Sequence, residues 1–97
     1  MELRHLRYFV AVAEDLSFTK ASAKLHLAQP SLTRQIHNLE EEIGVRLLNR
    51  SKSRVALTEE GRSFLADARR ILALATESIL AVQRLSRGET GQLNIAY

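Results

Sequence analysis

The sequence predicts a mainly α-helical fold: a winged helix-turn-helix with a two-stranded β-wing, followed by a long C-terminal linker helix suited to dimerisation. Three observations support this class. Two short amphipathic segments separated by a turn occupy residues 17–43, a basic hairpin pattern occupies residues 45–57, and a long amphipathic segment runs to Gly88. Apolar residues that recur every three or four positions indicate helices, whereas short apolar runs bounded by turn residues indicate strands.

The first predicted element is a helix from about Leu3 to Leu16. We expect it to pack across the next two helices and complete a three-helix core. Its apolar residues at helical spacing predict one buried face. The members of that face are Leu6, Phe9, Val10, Ala13 and Leu16.

The next two helices form the helix-turn-helix, at about residues 18–37. Ser17 is placed to cap the first of them, because its hydroxyl can accept a hydrogen bond from an unpaired backbone N–H. Pro30 suits the first turn of the second helix, where its missing N–H would be unpaired anyway, and it disfavours helical geometry at Gln29. The second helix therefore begins near residue 29 or 30, and Gly44 ends it.

The start of the second motif helix has side chains that suit the DNA major groove. Glutamine can pair with adenine and arginine with guanine, each through two hydrogen bonds, and a helix N-terminus favours phosphate. Phosphate would be repelled by Glu40, Glu41 and Glu42, so the N-terminal half should face DNA. The candidate DNA-contacting residues are Gln29, Pro30, Ser31, Thr33 and Arg34.

A β-hairpin is predicted at about residues 46–57, where two short apolar runs flank the sequence NRSKSR. Arg50, Lys52 and Arg54 crowd its tip with no acidic residue nearby. As a wing beside the helix-turn-helix, the hairpin would place these cations against phosphates or in a minor groove. The alternative interpretation is a solvated loop, but the helix-turn-helix upstream favours a wing.

The last predicted element is a helix from about Thr58 to Arg87, which would be about 45 Å long at 1.5 Å per residue. Its alternating spacing of three and four is that of a two-helix coiled coil, and a helix this long outruns a small domain. We therefore expect a homodimer, and we expect Phe64, Ile71 and Leu74 to pack on the chain's own first helix. The predicted dimer seam is Leu65, Ala68, Leu72, Ala75, Ile79 and Val82.

Charge is distributed unevenly between the two halves of the chain. Residues 1–57 contain nine Lys/Arg and six Asp/Glu, whereas residues 58–97 contain five of each. All of the excess positive charge therefore lies in the half with the helix-turn-helix, which fits a nucleic-acid partner.

Several classes of protein are excluded by composition. The absence of cysteine excludes a disulfide framework and a thiolate metal site. No apolar run approaches the roughly 20 residues that span a membrane, and no signal peptide opens the chain, so we expect a cytoplasmic protein without a membrane partner. No catalytic motif is present and the three histidines lack ligand spacing, so we expect neither an enzyme nor a cofactor or metal. The remaining alternative is a protein-interaction or dimerisation module whose helix-turn-helix is structural.

The chain resembles the N-terminal region of LysR-type transcriptional regulators over essentially all 97 residues. The resemblance lies in ELRHLRYFVAVAED, in SFTKASAKLHLAQPSLTRQIHNLEEEIGVRLLNR, in LTEEG and in GETGQLNIAY. The opening MELRHLRYFVAV is similar to regulators of aromatic-compound degradation within that family.

The resemblance implies a division of labour along the chain. Residues 1–58 would be the winged helix-turn-helix that binds double-stranded DNA, and residues 58–87 a linker helix that dimerises antiparallel. Residues 88–97, with alternating Leu93, Ile95 and Tyr97, would form a hinge and the first strand of a C-terminal effector-binding domain beyond this chain. Full-length members are commonly tetramers that activate or repress a nearby operon in response to a small molecule.

Carried over by position, the family's DNA contacts fall on the five residues 29–31, 33 and 34, and its wing arginine matches Arg50. The family usually has a second wing arginine three residues later, which here is Ser53. This chain has Lys52 and Arg54 instead. Which of these two cations enters the minor groove stays open.

Overall fold

The computed structural model describes residues 1–51 and 54–88, and within them it contains four helices and one two-stranded antiparallel sheet. The mainly helical fold with a two-stranded wing predicted from the sequence is confirmed. The elements are α1 Leu3–Asp15, α2 Phe18–Leu25, α3 Gln29–Ile43, β1 Leu48–Ser51, β2 Arg54–Leu57 and α4 Glu59–Ser86.

Helix ends are set by the local signals that the sequence carries. The Ser17 hydroxyl accepts a hydrogen bond from the Lys20 N–H at 3.0 Å and caps α2. Gly44 ends α3 with a φ of +88°, a left-handed conformation that glycine adopts without steric cost. At the start of α4, the Thr58 hydroxyl accepts from the Gly61 N–H at 2.9 Å.

The hydrophobic core lies where α1 packs against α2, α3 and α4. Phe9 is fully buried and its ring centre lies 5.6 Å from that of Phe64 on α4. The predicted α1 face needs correction, because Leu16 is exposed and Val12 is buried instead. Leu16 has a φ of +49°, so the chain turns there toward α2 and the leucine side chain leaves the helical face.

The start of α1 is joined to α3 by side-chain hydrogen bonds. The Glu2 backbone N–H donates to Nδ1 of His5 at 3.0 Å, so the ring proton is on Nε2, which donates to the Gln35 side-chain oxygen at 2.9 Å. The Met1 ammonium donates to the Glu42 carboxylate at 2.5 Å, and this hydrogen bond lowers the pKa of Glu42.

The first half of α4 packs against the chain's own core, which corrects part of the predicted dimer seam. Ala68 is 0% exposed, so a partner chain cannot contact it, and Leu65 and Leu72 are half-buried against the same core. Ile71 and Leu74, expected on the first helix, are exposed instead. The packing side is the one with small residues, since Gly61 and Ala68 are seven residues apart and share a face of the helix.

The second half of α4 projects away from the core. Residues 76–87 are all exposed, and the molecule is 59 Å long but only 25 × 20 Å across. Gly88 closes the helix with a φ of +76°. The predicted hinge and strand at residues 88–97 lie, from residue 89 on, outside the described residues. The exposed large apolar side chains of α4 are Ile71, Leu74, Ile79, Leu80, Val82 and Leu85.

Candidate nucleic-acid interface

The N-terminal half of α3 is the centre of the predicted site, and the structure leaves it accessible. Gln29, Pro30 and Arg34 are exposed, while Ser31 and Thr33 are half-buried. No acidic side chain among residues 1–51 and 54–88 pairs with the Arg34 guanidinium. Among the described residues Arg34 is thus a cation without an acidic partner, with several hydrogen-bond donors on an open helix face.

The exposed side of α3 extends beyond the five residues predicted from the sequence to contact DNA. His37 and Asn38 are exposed and lie three and four residues beyond Arg34, so they share its side of the helix. The helical period measured from Arg34 could have identified both. This exposed side of α3 ends at an acidic residue, Glu41. Its carboxylate lies 3.5 Å from the His37 ring, and both side chains are mostly exposed.

The start of α2 lies beside the start of α3. The Thr19 hydroxyl donates to the Gln29 side-chain oxygen at 3.3 Å. That bond leaves the Gln29 amide nitrogen free to donate outward. The two helix starts therefore present backbone N–H groups and short polar side chains side by side, an arrangement that favours the binding of phosphate groups.

The wing arginine Arg50 is held against the helix-turn-helix. Its guanidinium carbon lies 4.2 Å from the centre of the Phe18 ring, a cation–π contact. Phe18 is the first residue of α2 and is itself buried in the core. The contact therefore fixes a cation of the wing next to the N-terminus of α2.

The two wing strands complete a cleft next to α2. Arg50 pairs with Val55 and Ser51 with Arg54 across the antiparallel ladder, and both arginines are exposed. The predicted contact Lys52 lies outside the described residues. The α2–wing cleft is lined by Leu16, Ser17, Phe18, Thr19, Gln29, Arg50, Ser51, Arg54 and Val55. Two arginines among hydroxyl and amide groups make this cleft suitable for phosphate oxygens.

Glu40 departs from the prediction that residues 40–42 form an acidic exposed end. Its side chain is buried, with only 8% of the residue exposed, and one carboxylate oxygen accepts from the N–H groups of Leu47 and Leu48 at 2.8 and 3.0 Å. Glu41 and Glu42 are exposed as expected. Glu40 therefore has a partner within the fold that the charge run did not reveal.

In the part of the chain that the structure describes, no three His, Asp or Glu side chains are grouped so that they could hold a metal ion. Within the same residues, no helix has the length and apolar character needed to cross a membrane.

Comparison with known proteins assigns the family. Residues 3–62 match the family model of the bacterial regulatory helix-turn-helix proteins of the lysR family. TfdS, an HTH-type transcriptional regulator of Cupriavidus pinatubonensis, is 52% identical over 97 residues, which are 100% of this chain and 33% of TfdS. The Hca operon transcriptional activator HcaR of Escherichia coli is 53% identical over the same length, 32% of HcaR. The chain spans about a third of the length of these relatives.

Solved structures of similar sequence share the fold. The BenM DNA-binding domain, crystallised with catB site 1 DNA, has a TM-score of 0.88 and 51% identity, over 91% of this chain and 98% of that one. The CbnR DNA-binding domain in complex with DNA has a TM-score of 0.85 and 46% identity, over 89% of this chain and 99% of that one.

Proposed function

This chain belongs to the LysR family of bacterial regulatory helix-turn-helix proteins, and we propose that it is the part of such a regulator that binds a specific double-stranded DNA sequence. Members of this family are regulators and not enzymes. The proposal rests on two features. The start of α3 is open and carries Arg34, and the wing holds Arg50 beside α2.

The arrangement supports two kinds of contact with DNA. The exposed side of α3, from Gln29 to Arg34 and on to His37 and Asn38, is suited to base edges in the major groove. The α2–wing cleft, with Arg50 and Arg54, is suited to the phosphate backbone and the adjacent minor groove. The DNA complexes of the BenM and CbnR domains, which have this fold, support the assignment.

We further propose that the chain acts as a homodimer through α4, with residues 1–58 as the DNA-binding unit and residues 58–87 as the dimerising helix. The second half of α4 supports this, because none of the residues at 1–51 and 54–88 covers its Ile79 and Val82 side chains. Ile71, Leu74 and Leu85 extend the same apolar side of the helix. A dimer would present two reading units to a two-part site.

Membership of the family also leads us to propose how the complete protein regulates transcription. We infer that it controls an operon in response to a small-molecule effector that binds a C-terminal domain outside this chain, and that the full-length protein is a tetramer. The name of HcaR as an operon activator supports control of an operon, and the similarity to regulators of aromatic-compound degradation suggests a catabolic one. A regulator of bacterial DNA would act in the cytoplasm.

DNA binding is tested by selecting bound duplexes from a random-sequence pool and titrating the selected duplex with salt. We expect a recurrent two-part sequence and a linear fall of log affinity with log salt, at a slope of about −0.9 per neutralised phosphate. A footprint on the DNA flanking the gene would then locate the natural site. Failure to enrich any duplex would favour the alternative, an interaction module with a structural helix-turn-helix.

Arg34 provides a sharper test of base reading. We expect Arg34→Ala to weaken binding to the selected duplex by about 1–3 kcal/mol and to relax base preference at one position, because a bidentate contact with guanine is lost. Fluorescence anisotropy on the selected and single-substituted duplexes measures both effects. Arg7→Ala, which removes an equal charge from the exposed side of α1, is the control. Equal losses from both variants would assign Arg34 a purely electrostatic role.

A further inference from the structure

Glu40 is the one member of the acidic run at residues 40–42 that is buried, and it reaches across to the base of the wing. We define the wing base as residues 46–48, which are the end of the link from α3 and the first residue of β1. Oε2 of Glu40 accepts hydrogen bonds from the backbone N–H groups of Leu47 and Leu48, at 2.8 and 3.0 Å. The Arg46 guanidinium lies near the other oxygen, with its Nε at 3.9 Å.

These two N–H groups need a partner because they are buried. The Leu47 and Leu48 side chains are in the core, at 1% and 2% exposure. A buried N–H without an acceptor costs about 1–3 kcal/mol. A single oxygen of Glu40 accepts both hydrogen bonds, so this glutamate fixes the direction in which the chain enters β1.

The carbonyl side of the wing base is held by a different element. The Thr58 N–H donates to the Leu47 carbonyl at 3.0 Å, and the Thr58 hydroxyl donates to the Arg46 carbonyl at 2.7 Å. The start of α4 thus holds the carbonyls of the wing base while α3 holds its N–H groups. Glu40 is therefore the side chain that sets the position of the wing relative to the helix proposed to read bases.

We propose that Glu40 is a positioning residue for DNA binding, which acts by holding the wing cations Arg50 and Arg54 at the correct distance from α3. This proposal rests on the proposed DNA-binding function. Contacts from two elements to one rigid duplex require that the elements be held within about 0.5 Å of the productive geometry. A carboxylate near DNA is expected to oppose binding, but this one supports it through the backbone of the wing.

The test compares two neighbouring glutamates that carry the same charge. We expect Glu41→Ala to leave affinity for the selected duplex unchanged or higher, because it removes an exposed negative charge. Glu40→Ala removes the same charge, but we expect it to lower affinity roughly tenfold, since about 1.4 kcal/mol corresponds to a factor of ten. Glu40→Gln removes the charge but keeps an acceptor oxygen and nearly the same shape, so its affinity should lie close to that of the parent chain. If Glu40→Ala does not fold, this variant still tests the proposal, because a gain in affinity would mean that the carboxylate acts only as a charge.

A second background separates positioning from general stability. In a chain that already carries Arg50→Ala and Arg54→Ala, the effect of Glu40→Ala on affinity should shrink to within about twofold, because the coupled contacts are gone. Amide hydrogen exchange without DNA gives an independent readout. Glu40→Ala should speed exchange at Leu47 and Leu48 and leave Leu39, in the core of α3, protected.

Each other outcome would overturn the proposal. A gain in affinity from Glu40→Ala, like that of Glu41→Ala, would mean that the carboxylate acts only as a charge. An undiminished loss in the background without the wing arginines would mean that Glu40 acts on folding as a whole. If the parent chain binds no duplex, the proposed function falls, while the exchange rates at Leu47 and Leu48 still decide whether Glu40 holds the wing.

Discussion

Replacing both Ile79 and Val82 with aspartate is expected to convert the proposed dimer into monomers and to reduce affinity for a two-part DNA site by about 10²–10⁴-fold. These side chains are 58% and 64% exposed in the single chain, so the charges should cost its fold little. In a helix–helix seam, the same carboxylates would be buried without partners, which is strongly unfavourable. Loss of the seam removes the linkage that makes binding of the second reading unit intramolecular.

Sedimentation velocity gives the oligomeric state, and anisotropy on whole and half sites gives the affinities. The monomer should bind an isolated half site as well as the parent does, because α3 and the wing are untouched. Ala73→Asp with Leu80→Asp is the matched control, since it adds the same two charges to exposed positions on the other side of α4. An intact dimer in the Ile79 and Val82 variant would reject α4 as the dimerising helix.

Ile79 and Val82 are the two members of the predicted seam that are exposed in the structure. From the heptad spacing alone, Leu72 and Ala68 were equal members of the seam, but both pack against the chain's own core. A heptad pattern states that one side of a helix is apolar, and not which surface covers it. The small residues Gly61 and Ala68 allow close approach, and here it is the chain's own Leu47, just before β1, and α1 that approach.

Local signals, by contrast, predicted the elements well. Ser17, Pro30 and Gly44 act within a few residues of themselves, through a cap, a fixed φ and a left-handed end, so their effects can be read from sequence. Glu40 could not be assigned in this way. Its partners at residues 47 and 48 are set by how the wing folds back on α3, and a run of three glutamates reads as a solvated surface.

The structure also predicts a large effect at Gly61, in the first turn of α4. A Cβ added there would lie 2.1 Å from the Leu47 carbonyl oxygen and 3.0 Å from its carbon. Helix propensity alone would make Gly61→Ala stabilising by about 1 kcal/mol. The obstacle is backbone that Thr58 already holds, so it cannot rotate away, and we expect a net loss of about 2–3 kcal/mol.

Urea and thermal unfolding measure this loss, which should lower the Tm by about 4–8 °C for each kcal/mol in a chain of this size. Ser63→Ala, at an exposed position two residues further along the same helix, is the control and should be neutral or slightly stabilising. Since the Leu47 carbonyl belongs to the wing base, Gly61→Ala should also weaken DNA binding at temperatures where the variant remains folded. A variant as stable as the parent would show that the wing base and α4 can separate without cost, and the wing would then not be fixed by the contacts around Leu47.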